Sequence, residues 1–330
     1  MDRREKLLSG LDVARASGIE IGPLNRPLIL KSQGEIQYVD YGDAAFLREK
    51  YKDDPNVRGE DIPEIDAIWG DKTLEEALGL GRRFDYALAS HVMEHVPDLI
   101  AWLGEVHAVL EPDGTLRVAL PDRRFTFDFL RRESEVSDAL IAHVMRARAP
   151  LPGQVLESCL NHQLVDRRDM WDGGAARQPQ YERAKRLDWA LYCARQVMET
   201  GVYIDVHCWV FTPLSFARLM EQLAVLGFLR FECGRIFPTE RDGDEFIVIM
   251  RRSEDQARSA ETWRQAAEAL LAEPLAPLAA TLERAAAGFQ EGLRQQADAM
   301  ARLEQRFIAL ERRAAPLAWL ARRAWSRVRR

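Results

Sequence analysis

The stretch FDYALASHVMEHVPDLIAWLGEVHAVLEPDGTLRVALPD, residues 84–122, decides the fold. Phe84–Ala89 and Thr115–Leu120 are short apolar runs that predict buried strands, and Leu99–Leu110 between them has helical spacing. A strand, a helix and a strand in succession predict two parallel strands joined by a crossover helix. We therefore expect this stretch to form part of an α/β sheet with helices on both faces.

The same alternation occurs towards the N-terminus. Ile19–Gly22 and Ile36–Asp40 predict two further buried strands. Residues 3–17 have the spacing of a short amphipathic helix, which we expect Gly18 to end. Residues 1–122 thus predict the first half of a sheet domain.

Residues 123–206 interrupt this rhythm and predict a helical insertion, or lid. Two charged helical patterns, at about 125–148 and 180–200, flank a stretch rich in proline and glycine at 149–179. That composition is typical of a loop. We expect the insertion to cover the site at which an acceptor molecule binds.

The sheet pattern resumes over residues 207–252. Thr212 and Pro213 are the residue types preferred at the start of a helix, here predicted to run to Leu226. The apolar runs 228–236 and 246–250 predict the closing strands.

Residues 253–330 read as helix throughout. Apolar residues at 282–310 follow a heptad pattern, which predicts a coiled coil and, most simply, a homo-oligomer. A helix packed back on the body is the alternative. The basic end, 312–330, carries seven arginines and two tryptophans without an acidic residue. This segment could contact an anionic membrane surface or a partner protein such as a glycosyltransferase, or form a solvated end.

Composition excludes several classes of protein. The 330 residues are 47% hydrophobic and 30% charged, which is inconsistent with disorder over most of the chain. The sequence contains no apolar run long enough to span a membrane and no signal peptide pattern, and its four cysteines are scattered. We therefore expect a cytoplasmic protein, peripheral to the membrane at most. The net charge of −6 argues against nucleic acid as a partner.

Three short segments have the chemistry that an adenosine-containing cofactor needs at the carboxyl ends of such strands. The first strand ends in Glu20-Ile-Gly22-Pro23, where a glycine lets the backbone approach a ligand. The second ends in Asp40, at the distance along the chain expected for a ribose-binding acid. The segment 70–74 (GDKTL) could supply a polar group to the adenine.

Residues 84–98 and 110–116 resemble the signature of class I S-adenosylmethionine-dependent methyltransferases. The match consists of FDYALASHVMEHVPD followed by LEPDGTL, and the wording is similar to a bacterial subgroup often associated with polysaccharide biosynthesis. The resemblance covers 18–122 strongly and 207–251 weakly. One departure concerns the first motif, which keeps only Gly22 of its usual glycines and places Pro23 next to it.

The resemblance implies a set of cofactor-binding residues. Glu20, Gly22 and Pro23 would lie beside the methionine part of S-adenosylmethionine, and Asp40 would accept hydrogen bonds from the ribose. It also implies that Asp71 contacts the adenine amino group and that Leu74 lies near the ring. Ser90 and His91 would face the cofactor. No metal is expected in this interpretation.

The candidates for catalysis follow the fourth and fifth strands or the end of the insertion. They are His91, Asp122 and His207, with Asp205 as a possible partner of His207 and His162 as a further candidate in the insertion. A base would need to reach the acceptor hydroxyl, although alignment alone is sufficient for many methyl transfers. The implied acceptor is a glycan or another small molecule.

Two other interpretations remain open at this point. The altered Gly22-Pro23 loop would also suit a catalytically silent scaffold that assembles an envelope complex through its coiled coil. His91-Val-Met-Glu94-His95 matches the H-x-x-E-H pattern of a zinc hydrolase. In the methyltransferase interpretation, His95 is expected to be a structural residue.

Overall fold

One seven-stranded sheet organises the chain in a computed structural model that describes residues 1–174 and 183–272. The strands are β1 (Ser17–Ile21), β2 (Glu35–Asp40), β3 (Ala67–Ile68), β4 (Phe84–Ser90), β5 (Leu110–Pro121), β6 (Phe231–Phe237) and β7 (Glu245–Arg252). The helices are α1 (Arg3–Leu7), α2 (Ala44–Lys50), α3 (Leu74–Leu78), α4 (Leu99–Ala108), α5 (Val136–Val144), α6 (Pro152–Asn161), α7 (Arg167–Trp171), α8 (Arg183–Thr200), α9 (Pro213–Val225) and α10 (Gln256–Ala272). Three 3₁₀ turns lie at Gly59–Asp61, Met93–His95 and Arg123–Phe125.

The strand order is β3-β2-β1-β4-β5-β7-β6. Strands β1 to β5 pair in parallel, whereas β7 is antiparallel to both β5 and β6. The chain runs outward from β1 to β3 and then returns to place β4 beside β1. The strand order therefore reverses between β1 and β4, and ligands bind at such reversals in open α/β sheets.

Buried apolar side chains on both faces of the sheet hold it between helices. Trp102 of α4 and Trp209 are among the largest fully buried side chains, and Trp263 anchors α10 by donating its indole N–H to Phe231 O at 2.8 Å. Local caps set where the covering helices begin. Asp98 accepts a hydrogen bond from Ala101 N, and Thr212 accepts one from Ser215 N.

The predicted Rossmann-like α/β sheet is confirmed, since the predicted strands correspond to β1, β2, β4, β5, β6 and β7. The predicted helices at 99–110 and 213–226 are α4 and α9. The two-residue strand β3 was not predicted. The helix predicted over 3–17 is wrong beyond Leu7: the chain turns at Gly10, whose φ is +72°, and Gly18 lies inside β1.

The insertion, residues 123–206, is helical but arranged differently from the prediction. The first predicted helix shrinks to α5, and the predicted loop 149–179 contains α6 and α7. Pro152 occupies the first turn of α6, where a missing N–H costs no intrahelical bond. The function of the insertion as a lid stays a prediction, as do the domain boundaries drawn from the sequence.

The remaining predictions concern the C-terminal part of the chain. Helix α10 falls within the helical stretch predicted from residue 253 onward. The coiled coil at 282–310 and the basic segment 312–330 lie outside the described residues. Among the helices that the structure describes, none is both long and apolar enough to cross a bilayer.

Candidate functional site

A cavity of about 710 Å³ opens where the strand order reverses, and we call it the first cavity. Gly22 after β1, Asp40 at the end of β2 and His91 after β4 all contribute to its wall. Trp69 and His95 line it as well. The carboxyl ends of three neighbouring strands thus converge on one pocket, as the sequence predicted.

Gly22 is needed at its position for two independent reasons. Its φ is +67°, a value that residues with a Cβ rarely adopt. A Cβ at this position would lie 2.7 Å from Val92 Cγ2. Its N–H donates to Val39 O at 2.8 Å, which ties the loop to β2. Pro23 is buried behind this loop and lies outside the cavity lining, so the geometry assigns it to loop rigidity.

Asp40 presents a buried carboxylate to the first cavity. The residue is 5% exposed, and its Oδ1 accepts a hydrogen bond from Tyr41 N at 2.8 Å. Burial raises the pKa of Asp40 to about 6, against the opposing effects of that hydrogen bond and of Lys50. A group with spare acceptor capacity inside a cavity can bind hydroxyl donors strongly.

Glu20 does not line the first cavity, contrary to the prediction. Its neighbours Ile19 and Ile21 belong to the main core, so Glu20 points to the opposite face of β1. There its carboxylate accepts hydrogen bonds from Leu28 N at 2.8 Å and Ile29 N at 3.3 Å. Burial raises the pKa of Glu20 to about 7. The residue therefore holds a loop.

Of the two residues predicted to bind adenine, only Asp71 lines the first cavity, and adenine binding itself stays a prediction. Asp71 lines the rim of the first cavity, but its side chain is fully exposed, and its carbonyl oxygen accepts a hydrogen bond from Arg148 Nη2 at 2.6 Å. Leu74 is fully buried in the main core and is not part of the lining. Trp69, which the sequence analysis missed, lines the cavity, and its indole N–H donates to Glu105 Oε2 at 3.1 Å. No signal in the sequence pointed to Trp69, because the two-residue strand β3 that places it was not predicted.

Ser90 and His91 are tied to distant parts of the chain. Ser90 Oγ accepts a hydrogen bond from Arg3 Nη2 at 2.5 Å, and Ser90 lies outside the cavity lining. Arg3 Nε also donates to Glu245 Oε1 at 2.6 Å, while His91 Nε2 lies 2.8 Å from Glu245 Oε2. Glu245 therefore joins the N-terminal helix to the wall of the site.

Both ring nitrogens of His91 lie close to carboxylates. Its φ is +54°, and its Nδ1 lies 3.3 Å from Glu94 Oε1. Desolvation lowers the pKa of His91, but the hydrogen bond to Glu245 and the nearby charge of Glu94 outweigh it and raise that pKa to about 10. Both ring nitrogens therefore face carboxylates, an arrangement that favours the protonated ring, and a catalytic role for His91 stays a prediction.

A second cavity of about 460 Å³ adjoins the first and shares His91 with it. The insertion supplies much of its wall, including Phe125, Phe127 and Arg167. His207 contributes from the segment that leads back to the sheet. A molecule in the second cavity would therefore lie next to a ligand of the first.

His207 is in this wall but has a different partner from the predicted one. Its Nδ1 lies 2.5 Å from Asp128 Oδ2, and Asp128 also accepts a hydrogen bond from the buried Arg131 at 2.9 Å. Asp205 instead pairs with His95 Nδ1 at 2.8 Å. The predicted pair of His207 and Asp205 is therefore wrong.

Asp122 cannot serve as the predicted base because it is fully buried and fully engaged. It forms a bidentate ion pair with Arg124, accepts a hydrogen bond from Thr239 at 2.6 Å and lines neither cavity. His162 stacks on Phe127 with ring centroids 4.6 Å apart and is likewise absent from both linings.

The H-x-x-E-H segment does not form the zinc hydrolase geometry. That geometry places two histidines four residues apart on one helical face. Here Met93–His95 is a single 3₁₀ turn, and His91 before it has a left-handed backbone. His95 lines the first cavity, so it faces a candidate ligand as well as packing.

The chain is similar to known methyltransferases in sequence pattern and in fold. The family model described as a methyltransferase domain matches residues 14–223. Among solved structures, a SAM-dependent methyltransferase from Aquifex aeolicus is 10% identical, with a TM-score of 0.35, 76% of this chain covered and 89% of the other. The mitomycin 7-O-methyltransferase MmcR is 14% identical, with a TM-score of 0.35 and coverages of 76% and 53%.

The CurJ carbon methyltransferase structure is 10% identical, with a TM-score of 0.36, and the chain spans about half the length of that protein, 51%, with 75% of this chain covered. No match was found among curated proteins. The methyltransferase family model nevertheless spans more than half of the 330 residues. The chain therefore belongs to the methyltransferase domain family.

Proposed function

We propose that this enzyme binds S-adenosylmethionine in the first cavity and methylates a hydroxyl of a small polar acceptor held in the second. The observation that carries the proposal is the buried Asp40 carboxylate, which ends β2 and faces the first cavity. Two ribose hydroxyls are the donors that such a carboxylate would bind. The cofactor supplies a methyl group on a positively charged sulfur when bound.

The other walls of the first cavity fit the remaining parts of this cofactor. Trp69 offers an aromatic surface for a purine, beside the exposed Asp71. The Gly22 turn brings backbone close to the cavity on the side of β4, where the methionine part would lie. The loop with a single glycine therefore still allows the close approach that the usual glycine-rich motif provides.

The second cavity supports an acceptor with both apolar and polar faces. Phe125 and Phe127 offer aromatic surfaces, while Asp166, Arg167 and Asp244 add charged groups. Sugar rings combine an apolar face with hydroxyl edges, so this mixture suits a glycan or glycan precursor. The sequence resemblance to a subgroup associated with polysaccharide biosynthesis supports the same acceptor class.

Activation of the acceptor hydroxyl would fall to the wall that the two cavities share. Both ring nitrogens of His91 face carboxylates. Asp122 is engaged by Arg124 and Thr239, so we do not assign the proton transfer to either candidate. His207 lines the second cavity with only Nδ1 committed to a carboxylate. It is the remaining candidate among the three predicted catalytic residues.

Titration calorimetry with S-adenosylmethionine, followed by a mass-spectrometric methyl-transfer assay, tests this proposal. The acceptor panel would contain nucleotide-activated sugars and free sugars, with peptides and nucleic acids as comparison classes. We expect micromolar cofactor binding and transfer to sugar hydroxyls. Absence of cofactor binding would favour the silent scaffold, and transfer to peptide or nucleic acid alone would overturn the acceptor class.

Oligomerisation and membrane contact stay predictions from the sequence. The homo-oligomer through residues 282–310, and the contact of 312–330 with an anionic membrane or a glycosyltransferase, concern residues outside the described ranges. Replacing Leu303 and Phe307 with aspartate should convert a dimer to a monomer in light scattering, because a charged side chain is costly in an apolar seam. A wild-type protein that is already monomeric would contradict the prediction.

A further inference from the structure

Three side chains that can bind a metal meet between the first and second cavities. The candidate ligand atoms of Glu94, His95 and His207 all lie within 4.8 Å of one another. His95 belongs to the wall of the first cavity and His207 to that of the second. The cluster therefore lies where the cofactor and the acceptor would meet.

Glu94 is the most unusual member of this cluster. The residue is 0% exposed, and within residues 1–174 and 183–272 neither of its carboxylate oxygens has a hydrogen-bond partner. The nearest cationic atom is His91 Nδ1, 3.3 Å from Glu94 Oε1. Buried carboxylates are normally hydrogen-bonded, paired at close range or bound to a metal.

Both histidines are oriented as metal ligands usually are. His95 Nδ1 lies 2.8 Å from Asp205, and His207 Nδ1 lies 2.5 Å from Asp128. A proton held on Nδ1 by these carboxylates would leave the Nε2 lone pair available to a metal. A carboxylate behind each ligating imidazole fixes its tautomer and raises its affinity for a metal.

The backbone makes this arrangement rigid. Glu94 O accepts hydrogen bonds from Cys208 N at 2.6 Å and Trp209 N at 3.2 Å, and Trp209 Nε1 donates to Val96 O at 2.6 Å. These bonds lock the segment that carries His207 against the Met93–His95 turn. The rings of His95 and His207 meet edge to face, with centroids 4.8 Å apart.

We propose that Glu94, His95 and His207 bind one divalent first-row transition metal, of which Zn²⁺ is the reference ion. Two imidazole nitrogens and one carboxylate are a ligand set that Zn²⁺ accepts, with an open position for an exogenous oxygen. This set differs from the H-x-x-E-H set, because His91 is committed to Glu245 and the third ligand comes from a distant part of the chain.

The role of this metal, though not its binding, rests on the proposed function. An acceptor hydroxyl at the open position would have its pKa lowered by the cation and lose its proton to solvent. The enzyme would then need no side chain as a base. His207 would act on the acceptor through the metal and not by removing a proton itself.

Metal binding to the full-length chain, measured apart from activity, tests the site. The protein would be stripped with EDTA, and Zn²⁺ affinity measured by calorimetry against a competing chelator, with bound metal counted by mass spectrometry. We expect one ion per chain. His95→Ala and His207→Ala should each weaken binding about 100-fold or more, and Glu94→Gln about tenfold or more.

Variants outside the ligand set sharpen the test. Asp128→Asn keeps the shape behind His207 but weakens the orienting hydrogen bond, so it should lower Zn²⁺ affinity about 10-fold to 100-fold. His162→Ala is the matched control, because His162 lies in the insertion with Asp128 and is not a member of the cluster. The Zn²⁺ affinity of this variant should equal that of the wild type. Circular dichroism checks that each variant is folded.

Several results would overturn the site. Wild-type protein that binds S-adenosylmethionine but no Zn²⁺ would mean that the cluster is a metal-free ion pair of Glu94 with the His91 imidazolium. The site would also be refuted if the variants of Glu94, His95 and His207 bound Zn²⁺ as tightly as the His162→Ala control. If the variants fail to fold, the visible spectrum of Co²⁺-loaded wild type decides, since a spectrum of hydrated Co²⁺ alone refutes the site. Zn²⁺ binding without cofactor binding would support the site and contradict the proposed function.

Discussion

Replacing Asp40 with asparagine should separate cofactor binding from folding. A hydrogen bond to a charged acceptor is worth about 1.5–3 kcal/mol, and an adenosine ribose offers two donors. Asparagine keeps one neutral acceptor oxygen, so we expect a loss of about 2–4 kcal/mol. Since about 1.4 kcal/mol is tenfold, the Kd for S-adenosylmethionine should rise about 30-fold to 1,000-fold.

The same substitution should leave the unliganded protein at least as stable. The pKa of Asp40 is about 6 in the folded state against an ordinary value of 3.8. A carboxylate with a raised pKa lowers the free energy of unfolding as pH rises through this window, by about 3 kcal/mol in total. Asparagine carries no charge and still accepts the hydrogen bond from Tyr41 N, so it avoids that cost.

Calorimetry at neutral pH and thermal unfolding of the unliganded protein measure the two effects. A pH series adds an independent readout: wild-type affinity should fall about tenfold per pH unit below about pH 6, while the variant should lack this dependence. Asp53→Asn is the control, because Asp53 is exposed and lies outside the cavity lining, so its replacement should change the Kd less than about threefold. If Asp40→Asn binds the cofactor within about threefold of wild type, Asp40 does not hold the ribose.

Three further predictions concern the strand ends. Gly22→Ala should lower the free energy of unfolding by about 1–3 kcal/mol, because an alanine here would have a positive φ and its Cβ would contact Val92. It should also weaken cofactor binding. Denaturant titration measures the stability, and an unchanged value would contradict the predicted backbone strain. In the wild type, whose Glu20 has a pKa of about 7, the free energy of unfolding should fall by about 3 kcal/mol as the pH rises from about 4.5 to 7. Glu20→Gln should not show this fall. Parallel pH profiles for the two proteins would refute the prediction. Trp69→Ala should raise the Kd for S-adenosylmethionine about tenfold in calorimetry, and an equal Kd would exclude the ring from adenine binding.

Local patterns were sufficient where the sequence prediction succeeded. The apolar runs of the buried parallel strands and the Thr212 cap of α9 are determined by neighbouring residues, and so is the position of Asp40 at a strand end. The proline at the start of α6 was misread because proline both breaks helices and begins them. Whether a proline breaks a helix or begins one depends on where the helix starts, and a local sequence pattern does not give that point.

The errors in the site have two physical origins. The orientation of Glu20 follows from the alternation of side chains along a strand, since its neighbours Ile19 and Ile21 share the opposite face. This signal was available in the sequence. The partners of His95 and His207 depend instead on how the insertion folds back. Asp205 was chosen as the partner of His207 because it is close in sequence, whereas the actual partner, Asp128, is distant in sequence and close only in the folded chain.

The contact of Arg3 with Ser90 and Glu245 has a practical consequence for producing and studying this enzyme. A fusion tag or a truncation that displaces the third residue would remove a charge from the carboxylate that also holds His91. Its effect would then be measured as altered kinetics and mistaken for a property of the chemistry. Affinity tags are therefore better placed away from this end. A fluorescent probe attached at the N-terminus would lie outside the cavity but could still report ligand binding through these contacts.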